Sequence, residues 1–447
     1  MSRLDATATA EQVDAVLRGK KLTARDYTTV INALRAASQW RLALRVGEWL
    51  ARRSAAAEAA GEARPQLPNR VHYHALLAAC SACGQPAAAQ ELARSMEAAG
   101  VQLDRPAVAS IILACERGGA WEETPRLLDQ IEAIEPALAG PGSATRPSVD
   151  SLAFAYASAI RAHDAGGQWQ TALALFERMP ERGAEPDSHC YAAALGACRR
   201  GGQAGRAREI LARLTSGPQP GTAASGVRAS GMLYSLAMGA CNAGGEWQEC
   251  LALLDERRAL PAGQAQLDAH AYSVATAACA QGRQPERALA LVAEMRGGAE
   301  GSAARSNPIA WNNAMVACTR GAQPREALAL YDEMRAGACE ISEHSVAAAL
   351  VACRASADGG AADWQRAQSV FDGARARSTM VNNALFDALA AGKQWPLLLR
   401  YFEALRAAGQ GGARPDRRSY ERAIEACDQV DPERSLVLIA EMNVSGL

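Results

Sequence analysis

The chain has 447 residues, a formal net charge of −1 and no shift in composition that would divide it into domains of different character. Such a length allows two or three ordinary domains, but uniform composition favours an array of repeated elements. The near-neutral charge excludes a global basic field, so any attraction for phosphate must be local. The longest apolar runs fall short of the ~20 residues of a membrane-spanning helix, so we expect no membrane partner.

The first 22 residues are expected to form an N-terminal extension with a capping helix. This segment carries Asp5, Glu11 and Asp14 and has no apolar region, which argues against a secretory signal and leaves no evident transit peptide. The 12 Cys residues are spread through helical patterns along the chain. This usage indicates a reducing compartment rather than a disulfide scaffold.

From residue 23 to residue 447 one signature recurs: an aromatic residue, Leu or Ile, Ala-Cys, a Gly pair, Trp, Ala-Leu and Met. Cys80 and Cys115 are 35 residues apart, as are Cys318 and Cys353. A period of that length is typical of helical repeat arrays, and we predict about eleven repeats. They begin near Tyr27, Tyr73, Val108, Tyr156, Tyr191, Tyr234, Tyr272, Trp311, Val346, Asn382 and Tyr420.

Each repeat contains two helical patterns. In the first, Tyr191, Leu195 and Cys198 are spaced four and three residues apart and share one helical face. In the second, the same spacing runs from Trp169 to Met179. Because neither helix can bury its apolar stripe alone, successive repeats must stack. The sequence therefore predicts an all-α, right-handed α-solenoid of helix-turn-helix repeats, with the recurrent Cys packed in the core.

Five insertions rich in Gly, Pro and Ser lengthen the intervals between repeats and are predicted to be loops. They lie near residues 54–69, 134–152, 215–230, 297–307 and 355–363. The repeats themselves leave no room for another domain.

The first helix of the repeat distinguishes between two helical repeat families of similar period. Tetratricopeptide repeats carry a Trp-x-x-Leu-Gly pattern there, whereas this chain has an aromatic residue, two apolar residues, Ala-Cys and a Gly pair. The most specific stretches are "MPERGAEPDSHCYAAALGAC", "AWNNAMVACTRG" and "GGARPDRRSYERAIEAC". In these motifs the chain resembles the pentatricopeptide-repeat family, and its "GGxWxxAL" turn is similar to that of algal and protist arrays without a C-terminal catalytic domain.

The resemblance implies a single-stranded RNA-binding protein in which each repeat reads one base. Two positions per repeat would do so: the residue after the first-helix aromatic, and the last residue of the repeat. Carried onto this sequence, they give the pairs His74 with Asp104, Ser235 with Asp268, Ser273 with Asn307, Asn312 with Ser342, and Asn383 with Asp416. By the same analogy Asn with Asp favours uracil, Ser with Asn adenine, Ser with Asp guanine and Asn with Ser cytosine.

Other repeats fit this scheme less well. Ala157 with Asp187 has only one polar member, and Thr28 with Asn69 is separated by a long insertion. Repeats with Ala at the first position, such as those at Ala109, Ala192 and Ala347, are predicted to be spacers.

A row of Arg residues follows the recurrent Cys by one or two positions. Its members are Arg117, Arg199, Arg200, Arg320 and Arg354. In a regular array such a row would hold RNA phosphates at even spacing. The same residues also fit a second interpretation, in which they are cations at helix C-termini that interact with the helix dipole.

The sequence gives no pattern for an enzyme, a metal or a cofactor. Cys80-x-x-Cys83 has no second Cys or His pair at zinc spacing. We expect a monomer, and the resemblance implies organellar RNA processing or stabilisation in a plastid or mitochondrion, with a protein effector such as a nuclease as a further partner. The alternative hypothesis is a tetratricopeptide-like scaffold that binds protein, which the low charge and Ala-rich first helices also fit.

Overall fold

A computed structural model of the chain describes residues 23–59, 68–134, 151–215, 229–260, 267–297, 307–356, 363–375, 377–407, 413–444 and 446. Across these ranges the chain forms 22 α-helices and no β-strand. The helices form eleven consecutive pairs, as the apolar periodicity predicts. The chain divides into an N-terminal unit, up to Ala229, and a C-terminal unit from Ser230 onward.

The N-terminal unit contains five helical pairs, numbered here α1 to α10 in chain order. Their bounds are Ala24–Ala36 (α1), Trp40–Ala59 (α2), Arg70–Ala82 (α3), Pro86–Ala98 (α4), Arg105–Gly118 (α5), Thr124–Ala133 (α6), Ser151–Ala165 (α7), Trp169–Arg178 (α8), Ser188–Gly201 (α9) and Ala204–Thr215 (α10).

The C-terminal unit contains six pairs, α11 to α22. Their bounds are Gly231–Ala243 (α11), Trp247–Arg258 (α12), Ala269–Gln281 (α13), Pro285–Gly297 (α14), Pro308–Arg320 (α15), Pro324–Glu333 (α16), Glu343–Ala355 (α17), Trp364–Asp372 (α18), Thr379–Ala391 (α19), Trp395–Ala407 (α20), Arg417–Val430 (α21) and Pro432–Val444 (α22).

Within each unit the helices form two layers. The first helices of successive pairs pack against one another, so α3 contacts both α1 and α5, and α15 contacts both α13 and α17. A second helix that is followed by another pair of the same unit packs between its own first helix and the next one, as α14 does between α13 and α15. This stacking buries the apolar stripes that isolated helices would expose, as expected for an α-solenoid.

The Gly-Gly-x-Trp motif joins neighbouring repeats. Trp169, the first residue of α8, lies against Gly201 at the end of α9 in the following repeat. A Cβ added at Gly201 would lie 2.5 Å from the indole Cδ2 atom. Equivalent contacts join Trp121 to Gly166, Trp247 to Gly282 and Trp364 to Gly392, and Pro takes the place of Trp in the contacts of Pro86 with Gly118 and Pro285 with Gly321.

The recurrent Cys residues are packed in the core, as predicted. All eight at this register are fully buried: Cys80, Cys115, Cys198, Cys241, Cys279, Cys318, Cys353 and Cys427. Burial raises the pKa of the Cys115 thiol to about 11, so this side chain is a neutral apolar group at physiological pH. His163 and Leu389 occupy the same register in the repeats without the Cys, and both are buried.

Some predicted features fall on residues that the structure does not describe. The N-terminal extension, residues 1–22, lies outside the described residues, and four of the five predicted insertions lie mainly there. In the first insertion, predicted near 54–69, α2 continues through Ala59, so residues 54–59 are helical. The hand of the solenoid remains a prediction.

Candidate nucleic-acid interface

The last residue of each predicted pair is the N-cap of the next first helix. Asp104 accepts a hydrogen bond from the backbone N–H of Ala107 at 3.0 Å. Asp416 likewise accepts from the N–H of Ser419 at 2.9 Å. Such caps satisfy N–H groups that the first turn of a helix leaves unpaired. The cap fixes these polar side chains at the junction between two repeats.

Four of the five predicted pairs are joined by a direct hydrogen bond between their side chains. In the N-terminal unit, His74 Nε2 lies 2.9 Å from Asp104 Oδ1. In the C-terminal unit, Asn307 Nδ2 donates to Ser273 Oγ at 2.7 Å, Asn312 Nδ2 donates to Ser342 Oγ at 3.3 Å, and Asn383 Nδ2 donates to both Asp416 oxygens at 2.9 and 3.0 Å. The structure thus confirms that these partners lie side by side; their role in reading bases remains a prediction.

The fifth pair is bridged by a third residue. Arg257 Nη1 donates to Ser235 Oγ at 2.6 Å and lies 3.7 Å from Asp268 Oδ1. Ser235 is only 2% exposed, and Asp268 still caps α13. Arg257 was not among the residues predicted to form this site.

The weaker pairs show no equivalent contact. Thr28 Oγ1 donates to the carbonyl of Ala24 at 3.1 Å within its own helix. Asn69 caps α3 by accepting from the N–H of His72 at 3.1 Å. Asp187 caps α9 in the same manner, while its predicted partner Ala157 is buried.

The cap carboxylates are held in their charged form. Burial raises the pKa of Asp416, but hydrogen bonds from the backbone N–H of Ser419 and from the side chains of Asn383 and Ser419 lower it by more. The net pKa is below the ordinary value. For Asp104, burial is likewise outweighed by the hydrogen bond and charge of His74, so its pKa is also lowered. Both carboxylates are therefore hydrogen-bond acceptors at neutral pH.

A groove of about 670 Å³ runs over the first helices α15, α17, α19 and α21 of the C-terminal unit. Four predicted residues line it: Asn312, Arg320, Asn383 and Asp416. Between them lie apolar side chains that include Val316, Val351 and Met380. The groove thus combines polar groups with apolar surface, a combination suited to an unstacked base.

A set of exposed apolar residues was missed by the sequence analysis. Each lies two positions before the residue at which its repeat begins, and these residues are 40–61% exposed: Val71, Met232, Ile309 and Met380. The signal was available, because an apolar residue recurs at a fixed spacing outside the buried stripe. Large exposed apolar side chains at one register favour contact with a ligand over random surface variation.

The Arg row makes contacts between neighbouring repeats. Arg117 Nη1 donates to the carbonyl of Ser81 at 3.2 Å, near the end of the preceding first helix. Arg320 Nη1 similarly donates to the carbonyl of Ala280 at 3.3 Å. The capping interpretation is therefore supported, with the difference that these cations donate to terminal carbonyls of the preceding first helix and not of their own helix.

The other members of the row contact carboxylates or are exposed. Arg200 Nε donates to Asp164 Oδ1 at 2.7 Å, and Arg354 Nη1 lies 3.5 Å from Asp387 Oδ2. Arg199 is exposed. Arg200 and Arg354 keep 48% of their side-chain surface exposed, so solvent can still reach them.

One buried carboxylate in the C-terminal unit gathers three Arg side chains. Asp387 on α19 binds Arg354 from α17 and both Arg418 and Arg422 from α21; its Oδ1 accepts from Arg422 Nε at 2.8 Å. Arg422 also donates to Glu425 at 2.6 Å. Arg418 lines the groove and is a second cationic group there beside Arg320.

No group of three or more His, Cys, Asp or Glu side chains in the described ranges is placed to hold a metal ion. Burial raises the pKa of Cys80 to about 12, so its thiol is protonated at neutral pH. No helix in the described part of the chain is long and apolar enough to cross a membrane.

Comparison with known proteins agrees with the repeat assignment. A family model described as PPR repeat matches residues 309–337, which contain most of α15 and all of α16. The sequence matches no curated protein.

Among solved structures, the pentatricopeptide repeat protein PPR10 from maize has 17% identity and a TM-score of 0.44; the match covers 100% of this chain and 75% of that one. PPR10 in complex with an 18-nt psaJ RNA element has 18% identity and a TM-score of 0.34, with coverage of 98% and 78%. The matched pair α15–α16 is one of eleven pairs built on the same register, and its sequence is similar to the pentatricopeptide repeat.

Proposed function

We propose that this chain binds single-stranded RNA along the layer of first helices, with one base at each junction that carries a polar pair. The observation that carries the proposal is the direct side-chain hydrogen bond in four predicted pairs, each at a junction between repeats. This places a donor and an acceptor together at one repeat junction of the N-terminal unit and at three junctions of the C-terminal unit. A polar pair at a junction between repeats is what reading one base per repeat requires.

The groove in the C-terminal unit supports a specific mode of base contact. Asp416 can accept from the ring N–H of a uracil, and the Asn383 amide can donate to a neighbouring carbonyl of the same base. Ile309 and Met380 expose apolar surface two positions before the aromatic slots of their helices. Apolar surface of this kind stacks on base rings with little dependence on sequence, whereas the polar pair supplies the selectivity.

The phosphates would be held by local cations, since the chain has no net positive charge. Arg320 and Arg418 both line the groove, and Arg354 and Arg422 lie beside it on Asp387. An Arg that neutralises a phosphate releases condensed counterions, so binding should weaken as salt increases. A low net charge limits the number of such contacts and predicts a shallow salt dependence.

The test is a pair of measurements on the full chain. Fluorescence anisotropy with a labelled random single-stranded RNA should show binding that weakens with salt, and double-stranded RNA of the same length should bind more weakly. Selection from a random RNA library should then show that Asn383→Ser changes the preferred base at one position. The matched control is Asn443→Ser, an exposed position on the last second helix, which should leave the enriched sequence unchanged.

The outcomes separate RNA binding from the protein-scaffold alternative. If the wild-type chain binds no RNA in low salt but retains a defined protein from cell extract, the scaffold hypothesis replaces this proposal. If RNA binds but wild type and Asn383→Ser enrich the same sequences, the pair does not read a base.

We also propose that the RNA is an organellar transcript, whose processing or stability the protein controls together with a protein effector such as a nuclease. The resemblance of the repeats to this family supports the proposal. Imaging of the tagged full-length protein in its own cells, followed by crosslinking and sequencing of bound RNA, would test the compartment and the target. Transcripts from the nucleus alone would contradict it.

A further inference from the structure

Arg257 stands at a position where other repeats have a buried apolar residue. Ten residues after the first residue of a second helix, the chain places a side chain in the core between the two helix layers. The residues at this register include Leu50, Met96, Met179, Met295, Met334 and Leu405, all buried. In α12 the same register carries Arg257, which is 3% exposed. A charged group so deeply buried requires partners within the protein.

The guanidinium of Arg257 finds its partners at the pair that was predicted to read a base. It donates to Ser235 Oγ at 2.6 Å and lies 3.7 Å from Asp268 Oδ1. Residue 231 in the first turn of α11 is a Gly, and a Cβ there would lie 2.8 Å from Arg257 Nη2. The small residue, the hydroxyl and the carboxylate together accommodate one buried cation.

This arrangement differs from that of the next repeat, where Ser is also the first member of the pair. Ser273 accepts from Asn307, the last residue of its own repeat, and remains partly exposed. Both Ser hydroxyls donate to the carbonyl four residues earlier, Ser273 to Ala269 at 3.0 Å and Ser235 to Gly231 at 3.1 Å. The difference is that Ser235 accepts from Arg257 and is almost fully buried. A base that bound Ser235 would have to remove a partner from a buried guanidinium, at a large cost.

We infer that Arg257 is a specificity-determining residue that withdraws this repeat from base reading. It occupies Ser235 from within the protein and pairs at 3.7 Å with Asp268, whose side chain stays 56% exposed. The inference rests on the proposed RNA-binding function. The repeat that begins near Tyr234 is then a spacer rather than a guanine reader. The residues of the pair alone would give the wrong assignment, because the side chain that blocks them comes from the second helix.

The test is the substitution Arg257→Met, which installs the residue found at this register in several other repeats. In selections from a random RNA library, the wild-type chain should show no preference at the nucleotide facing this repeat. Arg257→Met should gain a preference there of about 5- to 150-fold, the range of a good polar base contact. Adding Ser235→Ala to Arg257→Met should remove the gain. A wild-type preference at this nucleotide that Ser235→Ala abolishes would overturn the inference.

A second measurement tests the contact without RNA. Thermal unfolding of the full chain should show that Ser235→Ala lowers the melting temperature of the wild type but has little effect in Arg257→Met, because the two side chains are coupled. Equal effects in both backgrounds would contradict the buried contact and the inference with it. Failure of the proposed function would differ: no variant would bind RNA, while the coupling would remain.

Discussion

Replacing Gly201 by Ala should destabilise the N-terminal unit, although Ala is a better helix former than Gly. Gly201 is the last residue of α9 and its φ is not positive, so its backbone conformation is open to Ala, but the new methyl carbon would lie 2.5 Å from the ring of Trp169. Forcing a methyl group into such a contact costs about 1–3 kcal/mol. The helix preference for Ala returns about 0.5–1 kcal/mol. The net effect is then a loss of up to about 2.5 kcal/mol of unfolding free energy.

Gly205 provides a matched control in the same unit. It lies on α10, and a Cβ there would meet no atom within 4 Å, so Gly205→Ala should stabilise the unit by about 0.5–1 kcal/mol. Urea unfolding of the full chain, followed by circular dichroism, measures both changes. A third variant separates the cause: with Trp169→Ala already present, Gly201→Ala should no longer destabilise. If Gly201→Ala and Gly205→Ala stabilise the chain equally, the joint between Trp and Gly does not limit side-chain size.

Three further predictions concern charge. His163 is buried, which lowers its pKa, so its contribution to stability is complete above about pH 6.5 and is lost as pH falls. The melting temperature of the wild type should therefore fall more than that of His163→Cys between about pH 7.5 and pH 5.5. Equal falls would contradict this. Replacing Arg199, Arg200 and Arg320 together by Ala should weaken binding of all single-stranded RNA sequences alike and reduce the salt slope, whereas an unchanged slope would leave the row as structural. Asp416→Ala removes a helix cap and should cost about 1 kcal/mol in urea unfolding, against no change if the cap were unimportant.

Much of the fold could be predicted from the sequence because its signals are local. The apolar spacing within each helix and the interval of 35 residues between Cys80 and Cys115 are set by the helical period and by the length of one hairpin. The N-cap role of Asp416 is also local, because an Asp before a helix accepts from a backbone N–H two or three residues later. Eleven helical pairs and the positions of their caps follow from such signals.

Contacts between repeats were harder to predict, because their two partners are far apart in the sequence. In the sequence, the Gly pair and the Trp stood out only as members of the recurrent signature, and no contact between them was predicted. The structure shows that Trp169 packs on Gly201 of the next repeat, so the motif also forms a packing contact between neighbouring repeats. The Arg row also makes contacts between repeats, because Arg320 donates to the backbone carbonyl of Ala280 in the preceding repeat.

The site differs most from the prediction where the side chains of a pair already have hydrogen-bond partners within the protein. Asn383 and Asp416 already hydrogen-bond each other, and Ser419 Oγ donates to Asn383 Oδ1 at 2.6 Å. A base that enters must replace or share these bonds, so its net gain is the difference between two hydrogen-bond sets, of the order of 1 kcal/mol per bond. Selectivity then depends on how readily each pair releases its internal partners. When a base displaces Asn383, the Asp416 carboxylate loses the amide hydrogen bond but still accepts from the backbone N–H of its helix. When a base displaces Ser235, the buried guanidinium of Arg257 loses a hydrogen-bond partner. The identity of the two residues therefore predicts base reading only where no third side chain reaches the pair.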